Sequence, residues 1–184
     1  MTKHFFLAIW LAFGLFFTLN AQITNAFGQI GGLYNTNNNQ FAFREHRIWL
    51  NTAVGISIGR HFDVGVRMNQ LWLHGLHPYW DHMWEGGPFV RAKWNIKEYH
   101  HLYAELRLTR GNICTCGDQR YSFLSRESGR YHVAFAHGFT LKIAPNTHAY
   151  SELYWNFPLE NAATELGYLN ASLGIRYYLR IEKL

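Results

Sequence analysis

The stretch HRIWLNTAVGISI, residues 46–58, alternates between two kinds of side chain along its whole length. One set is apolar or β-branched: Ile48, Leu50, Thr52, Val54, Ile56 and Ile58. Between them lie Trp49, Asn51, Ala53, Gly55 and Ser57, all but the first of which are small or polar. Because a β-strand points successive side chains to opposite faces, this pattern predicts a strand with one apolar and one polar face.

Seven other segments carry the same period of two. They are residues 23–34, where the pattern is weaker, and residues 62–73, 89–96, 102–110, 131–143, 149–157 and 169–179. Short connections at 59–61, 97–101 and 145–148 alternate with longer ones at 35–40, 74–88, 114–130 and 158–166. This asymmetry is typical of outer-membrane barrels, which have short periplasmic turns and longer outer loops. The sequence therefore predicts an all-β, eight-stranded antiparallel up-and-down transmembrane β-barrel.

The composition agrees with a membrane protein of this kind. Of 184 residues, 16% are charged and 17% are aromatic, against about 25% charged residues in an ordinary soluble domain. The formal net charge is +5, but the basic residues are spread along the chain. Without a basic patch or run, the sequence predicts no nucleic-acid partner.

The first residues differ from the rest of the chain. Lys3 and His4 precede an apolar run from Phe5 to Phe17, and small residues follow up to Ala21. This is the pattern of a secretory signal peptide, and the apolar run is shorter than the roughly 20 residues that a membrane-spanning helix needs. We expect residues 1–21 to be a signal peptide and residues 22–184 to form the barrel in the outer membrane.

The last strand carries a family resemblance. Ser172, Gly174, Tyr177 and Leu179 fall in a pattern that resembles the C-terminal β-signal of outer-membrane proteins, although the chain continues through residues 180–184. The mature chain resembles the eight-stranded OmpA/OmpX-like group, and its leader is similar to those of Bacteroidota outer-membrane proteins. The resemblance implies that the barrel-assembly machinery recognises these four residues, and that the partners include outer-membrane lipid and lipopolysaccharide.

The polar faces of the strands hold most of the charge. Their charged members are Asp63, Arg67, Arg91, Lys93, Glu105, Arg107, Lys142, Glu152 and Arg176. Eight strands leave an interior that side chains can fill, and charges inside it lose hydration and must be paired. We predict an ion-paired plug centred on Glu105 and Glu152. Since basic members outnumber acidic ones, a small anion or a narrow water path remains an alternative.

Two other fold and function classes compete with this interpretation. A secreted lipocalin-like carrier is also an eight-stranded barrel, but it would turn its apolar face inward. Lipid-modifying barrel enzymes resembling lipid A deacylases use a His-x-Ser pair and a Glu. Here His137 has no Ser at that position, and Glu152 lies on the next strand. We therefore predict a non-enzymatic protein with no cofactor, whose loops serve envelope structure or surface interaction, with an envelope protein as a possible further partner.

One long connection contains several potential metal ligands. His74, His77 and His82 lie among aromatic residues, together with Asp81. Imidazole and carboxylate groups at such spacings can bind zinc or copper, and an aromatic-rich loop packed on the barrel rim is the alternative. Cys114 and Cys116, in another loop, could form a strained disulfide, remain thiols, or join a metal site beside the loop histidines.

Overall fold

The computed structural model describes residues 23–38, 44–74, 81–97, 99–111, 130–159 and 168–181. Eight strands follow one another: β1 Ile23–Asn38, β2 Arg44–Ile58, β3 Phe62–His74, β4 Asp81–Lys97, β5 His100–Gly111, β6 Arg130–Ala144, β7 Thr147–Pro158 and β8 Tyr168–Arg180. Each strand pairs antiparallel with the next, and β8 pairs with β1 to close the barrel. The predicted fold is confirmed.

The two ends of the barrel differ in their connections. Tight turns join β2 to β3, β4 to β5 and β6 to β7. In the first of them Gly59 has a φ of 60°, a conformation that glycine adopts without strain. We call this the periplasmic end, because short turns face the periplasm in bacterial barrels. The longer connections lie at the opposite, outer end.

The predicted strand bounds are too short at the outer end. The sequence predicts a loop over residues 74–88, whereas β4 begins at Asp81, and β1 continues to Asn38. Gly86, Gly87 and Pro88 interrupt the alternation and are residue types depleted in strands. Here they pair with β3, so Asp81 and His82 belong to the barrel wall.

The outside of the barrel is apolar. Val54 is 66% exposed and Leu106 58% exposed, and large hydrophobic residues of every strand show the same outward placement. The buried side chains include charged, amide and hydroxyl groups from all eight strands. A lipocalin-like carrier would have the reverse arrangement, so that alternative is wrong.

The described part of the chain contains no helix long and apolar enough to cross a membrane. Residues 1–22 lie outside it, and the signal peptide stays a prediction. His77, Cys114 and Cys116 also fall outside the described residues.

Candidate functional site in the barrel lumen

The middle of the lumen is filled by a network of long charged side chains. Arg67 on β3, Arg91 on β4 and Arg107 on β5 meet Glu105 on β5 and Glu152 on β7. All five are at most 1% exposed. Charges this deeply buried persist only when opposite charges and hydrogen bonds compensate for the lost hydration.

Small residues on the neighbouring strands make room for these side chains. The register sets four pairs side by side: Arg67 with Ala53, Glu105 with Ala136, Arg107 with Ala134, and Glu152 with Gly138. Because the narrow lumen of an eight-stranded barrel must be filled without overlap, each long group extends over a small neighbour. The alternation of large and small residues across the strands thus positions the network.

Glu152 receives donors from β3, on the opposite side of the barrel, and from β5. Arg67 donates from Nη1 and Nη2 to its two carboxylate oxygens, at 2.5 and 3.1 Å. Arg107 donates from Nη2 to Oε1, and the Tyr103 hydroxyl donates to Oε2 at 2.9 Å. Tyr103 crosses over Gly138, where a Cβ would overlap its ring. Glu152 therefore links β7 to β3 and β5 across the lumen.

Glu105 and Asp63 continue the network towards the periplasmic end. Arg91 donates from Nε to Glu105 Oε2 at 2.7 Å, and Arg107 also donates to Glu105. Arg91 then contacts Asp63 Oδ2 at 3.2 Å, and Lys93 Nζ lies 2.5 Å from Asp63 Oδ1. A chain of alternating charges thus runs from Glu152 to Lys93.

Arg176 is held differently from the other buried arginines. Its Nε donates to the Gln29 side-chain oxygen at 2.9 Å, and its Nη1 donates to the Tyr178 hydroxyl at 3.3 Å. Its guanidinium carbon lies 5.1 Å from the Tyr103 ring centroid and 5.6 Å from that of Tyr150, within the range of cation–π attraction. Among the described residues, no carboxylate is within ion-pair distance of Arg176.

Glu85 belongs to the lumen, although the sequence pattern predicted that it lies in a loop over residues 74–88. It is 1% exposed, and its two carboxylate oxygens accept hydrogen bonds from the amides of Asn69 and Asn156, each at 2.7 Å. Met83 is buried and Trp84 is exposed. The alternation of Met83 and Glu85 with Trp84 was the signal that could have revealed this residue.

Lys142 is not brought to either glutamate. It is half-buried near the periplasmic end of β6, where it pairs with His148 on β7. Glu105 instead pairs with Ala136, nearer the middle of the same strand. Lys142 therefore lies too far along β6 to reach Glu105, and the prediction that it belongs to the network is wrong.

The residues of the predicted assembly signal alternate across the wall. Ser172 is buried and Gly174 packs against Gly31 and the Tyr150 ring, whereas Tyr177 and Leu179 are exposed on the outside. β8 pairs with β1 and β7 along this segment. The two apolar members thus face outward and the two small members face inward.

His74 and His82, the described histidines of the predicted metal site, lie on the outward face of the barrel wall, near the end with the longer connections. His82 stacks on Trp72, with ring centroids 4.9 Å apart, and His74 lies 6.2 Å from the ring of His46. The described residues contain no group of three or more His, Cys, Asp or Glu arranged to hold a metal ion. Since His77 is outside the described ranges, the three-histidine metal site stays a prediction.

The residues considered for lipid-modifying chemistry do not all share one face. His137 is exposed on the outside and stacks on Trp155, with ring centroids 5.1 Å apart. Ser151 is also on the outside, diagonal to His137 in the pairing of β6 with β7. Glu152 points the other way and is held by Arg67 and Arg107 inside the barrel. The structure therefore does not bring Glu152 to His137.

Comparisons with known proteins identify the type of barrel. No protein-family model matches the chain, and no curated protein does. Solved structures do match. The N-terminal β-barrel domain of Pseudomonas aeruginosa OprF aligns with a TM-score of 0.55 at 14% identity, covering 87% of this chain and 100% of that one.

Two further solved structures are similar. Neisserial surface protein A aligns with a TM-score of 0.56 at 11% identity, over 86% of this chain and 98% of that one. Ail, the attachment invasion locus protein of Yersinia pestis, aligns with a TM-score of 0.50 at 14% identity, over 88% and 100%. The closed barrel, its apolar exterior and this shared fold make the chain a small eight-stranded transmembrane β-barrel of the outer-membrane type.

Proposed function

We propose that this protein is a closed, non-enzymatic barrel that contributes to the structure and the surface of the outer membrane. Its lumen would be a rigid polar plug, and its outer end would contact lipopolysaccharide or an envelope partner. The observation that carries the proposal is the ion-pair chain across the lumen, in which Arg67 on β3 reaches Glu152 on β7.

The plug makes a pore function unfavourable. An ion moving through the middle of the lumen would have to separate arginine and glutamate groups that are at most 1% exposed. Each separation leaves a buried charge without its partner, which costs several kcal/mol. A steady open path therefore requires the network to rearrange.

Outward rings support contact with lipopolysaccharide at the outer end. The Tyr34 hydroxyl lies 2.6 Å from His46 Nδ1, and His82 stacks on Trp72 on the same side of the wall. Amphipathic rings favour the boundary between hydrocarbon and headgroups. Imidazole groups can also bind phosphate when they are protonated, and phosphate is abundant at such a surface.

Conductance in planar lipid bilayers tests the plug. We expect the purified protein to show no steady single-channel conductance, with a large porin in the same bilayers as the positive control. The double variant Arg67→Ser/Glu152→Ser removes two long side chains and their charges together, so it should open a measurable path. A stable conductance of the parent that is unchanged in the double variant would contradict the proposal, because the network would then not control the passage of ions.

The non-enzymatic part of the proposal needs a separate measurement. Lipid A from cells that express the parent, the His137→Ala variant or no barrel would be compared by mass spectrometry. We expect identical acylation in all three samples, because the described outer face supplies no carboxylate to orient His137. Loss of an acyl chain that depends on His137 would contradict the proposal and support the lipid-modifying alternative.

A further inference from the structure

A cavity of about 390 Å³ opens at the periplasmic end of the lumen. Its walls include Arg60, Lys93, Asn95, His101, His148 and Tyr178. These residues come from the β2–β3 turn and from four strands, so the barrel wall itself forms the sides of the cavity, which is open at the periplasmic mouth. The ion-paired network lies directly below it, because Lys93 contacts both.

The lining of this cavity is basic. Arg60 is exposed at its rim and makes no ion pair with a described residue. Lys93 donates to Asp63 and to the Ser57 hydroxyl, at 2.5 and 3.4 Å. Since a lysine amine has three N–H groups, Lys93 keeps one for the cavity. The described residues that line the cavity include no Asp or Glu.

Two imidazole rings and a tyrosine ring lie beside these cations. The rings of His101 and His148 stack with centroids 5.6 Å apart, and His148 meets the Tyr178 ring edge-on at 5.0 Å. His148 Nδ1 is buried, and no described group hydrogen-bonds to it.

Arg176 adds positive charge next to the cavity, on the side of the barrel centre. It pairs with His148 in the strand register, and no carboxylate of the described residues lies within ion-pair distance of it. Its Nη2 is buried without a hydrogen-bond partner among the described groups. The cavity thus gathers cations, while Asp63, the described carboxylate that contacts its lining, is already shared by Lys93 and Arg91.

We infer that this periplasmic cavity binds a phosphate group through Arg60 and Lys93. A phosphate offers several acceptor oxygens to donors on different walls, and charge-assisted hydrogen bonds to such oxygens are among the stronger ones in proteins. The group could arrive as free inorganic phosphate or as the headgroup of a phospholipid in the inner leaflet. Both sources present the same oxyanion to the same two cations.

Titration of the whole folded barrel with inorganic phosphate tests the site. The isotope-labelled protein in maltoside micelles, which contain no phosphate, would be followed by NMR at constant ionic strength set with chloride. We expect saturable shifts of the His101 and His148 ring signals. A parallel titration with a short-chain phosphatidylglycerol distinguishes the two sources. Saturation by inorganic phosphate alone identifies a free-ion site, and saturation by the phospholipid alone identifies a headgroup site.

Variants at the rim separate a site from general charge attraction. Arg60→Gln should weaken phosphate binding about tenfold, because it removes a charged donor. Asn146→Asp, which places a negative charge on an exposed lining residue, should weaken it by a similar factor. Arg110→Gln removes the same charge as Arg60→Gln from the outer end of β5, and should leave the affinity unchanged.

Three results would overturn the inference. The first is the absence of saturable shifts with both phosphate probes. The second is an equal loss of affinity in the Arg60 and Arg110 variants, which would indicate attraction to the overall charge alone. The third is unchanged affinity in both Arg60→Gln and Asn146→Asp, provided that each variant keeps the folded gel mobility of the parent.

Discussion

Replacing Glu152 by Gln changes the charge at the centre of the ion-pair network with little change of shape. Glu152 accepts two hydrogen bonds from Arg67, one from Arg107 and one from Tyr103. A glutamine keeps one acceptor oxygen and turns an NH₂ group towards a guanidinium, so a donor meets a donor. Arg67 and Arg107 are then left with Glu105 as their remaining carboxylate.

The size of the effect follows from these contacts. At a separation of about 4 Å and an effective dielectric constant of about 20, each ion pair is worth about 4 kcal/mol. Glu152→Gln removes two such pairs, about 8 kcal/mol in total, and several kcal/mol return because no carboxylate has to be desolvated. We expect the free energy of unfolding to fall by about 3 to 5 kcal/mol, the range for a buried charge that loses its partner.

Glu85→Gln is the matched control. Glu85 lies in the same lumen with the same 1% exposure, but its carboxylate contacts two amides and no described cation. The amides of Asn69 and Asn156 can rotate to satisfy a glutamine, and no arginine is left behind. We expect this variant to differ from the parent by at most about 1 kcal/mol, the net value of an ordinary hydrogen bond.

Unfolding in urea from lipid vesicles gives the comparison. The folded and unfolded populations would be followed by tryptophan fluorescence and by the gel mobility of unboiled samples, with equal slopes required in all variants. The double variant Arg67→Gln/Glu152→Gln should recover part of the lost stability, because it removes one stranded cation. The reasoning fails if Glu152→Gln and Glu85→Gln unfold at the same urea concentration as the parent.

Two further predictions concern other parts of the barrel. Replacing Tyr177 and Leu179 by Asp should leave the precursor processed but the protein unassembled in the periplasm, as judged by membrane fractionation, and normal outer-membrane levels would count against the assembly signal. Gly138→Ala should cost about 1 to 3 kcal/mol in urea unfolding, because its Cβ would overlap the Tyr103 ring, whereas Gly28→Ala meets nothing within 4 Å and should be nearly neutral. Equal stabilities of the two alanine variants would refute this packing argument.

The period of two predicted the eight strands, although not their outer bounds, and divided each strand into two faces; the charged residues on the polar face then indicated which face is buried. Every second residue of β5 is buried, from Tyr103 through Glu105 and Arg107 to Thr109. The alternation fixes this because a one-residue shift would turn the whole strand over. The number of strands and the alternation of turns and loops then predicted closure.

The pairing within the lumen could not be predicted from the sequence. Arg67 and Glu152 are 85 residues apart, and they meet only because curling of the sheet turns β3 towards β7. Their contact depends on the register of every strand between them. The small partners that make room for the charges, such as Ala136 and Gly138, acquire that role through register as well. Glu85 was missed for a local reason, since the glycines and proline after it resemble a loop.

The placement of charge along the lumen links the ion-pair network to the periplasmic cavity. Arg91 forms ion pairs with Glu105 and Asp63, and Lys93 forms a second ion pair with Asp63. The carboxylates in the middle of the barrel are therefore already paired. Arg176 follows towards the periplasmic end with no described carboxylate in contact. The pairing of charges at the centre of the lumen therefore leaves the excess of positive charge near the periplasmic mouth. In the proposed function the central ion pairs close the lumen, and the cations that this pairing leaves over would make the periplasmic mouth attractive to an anion.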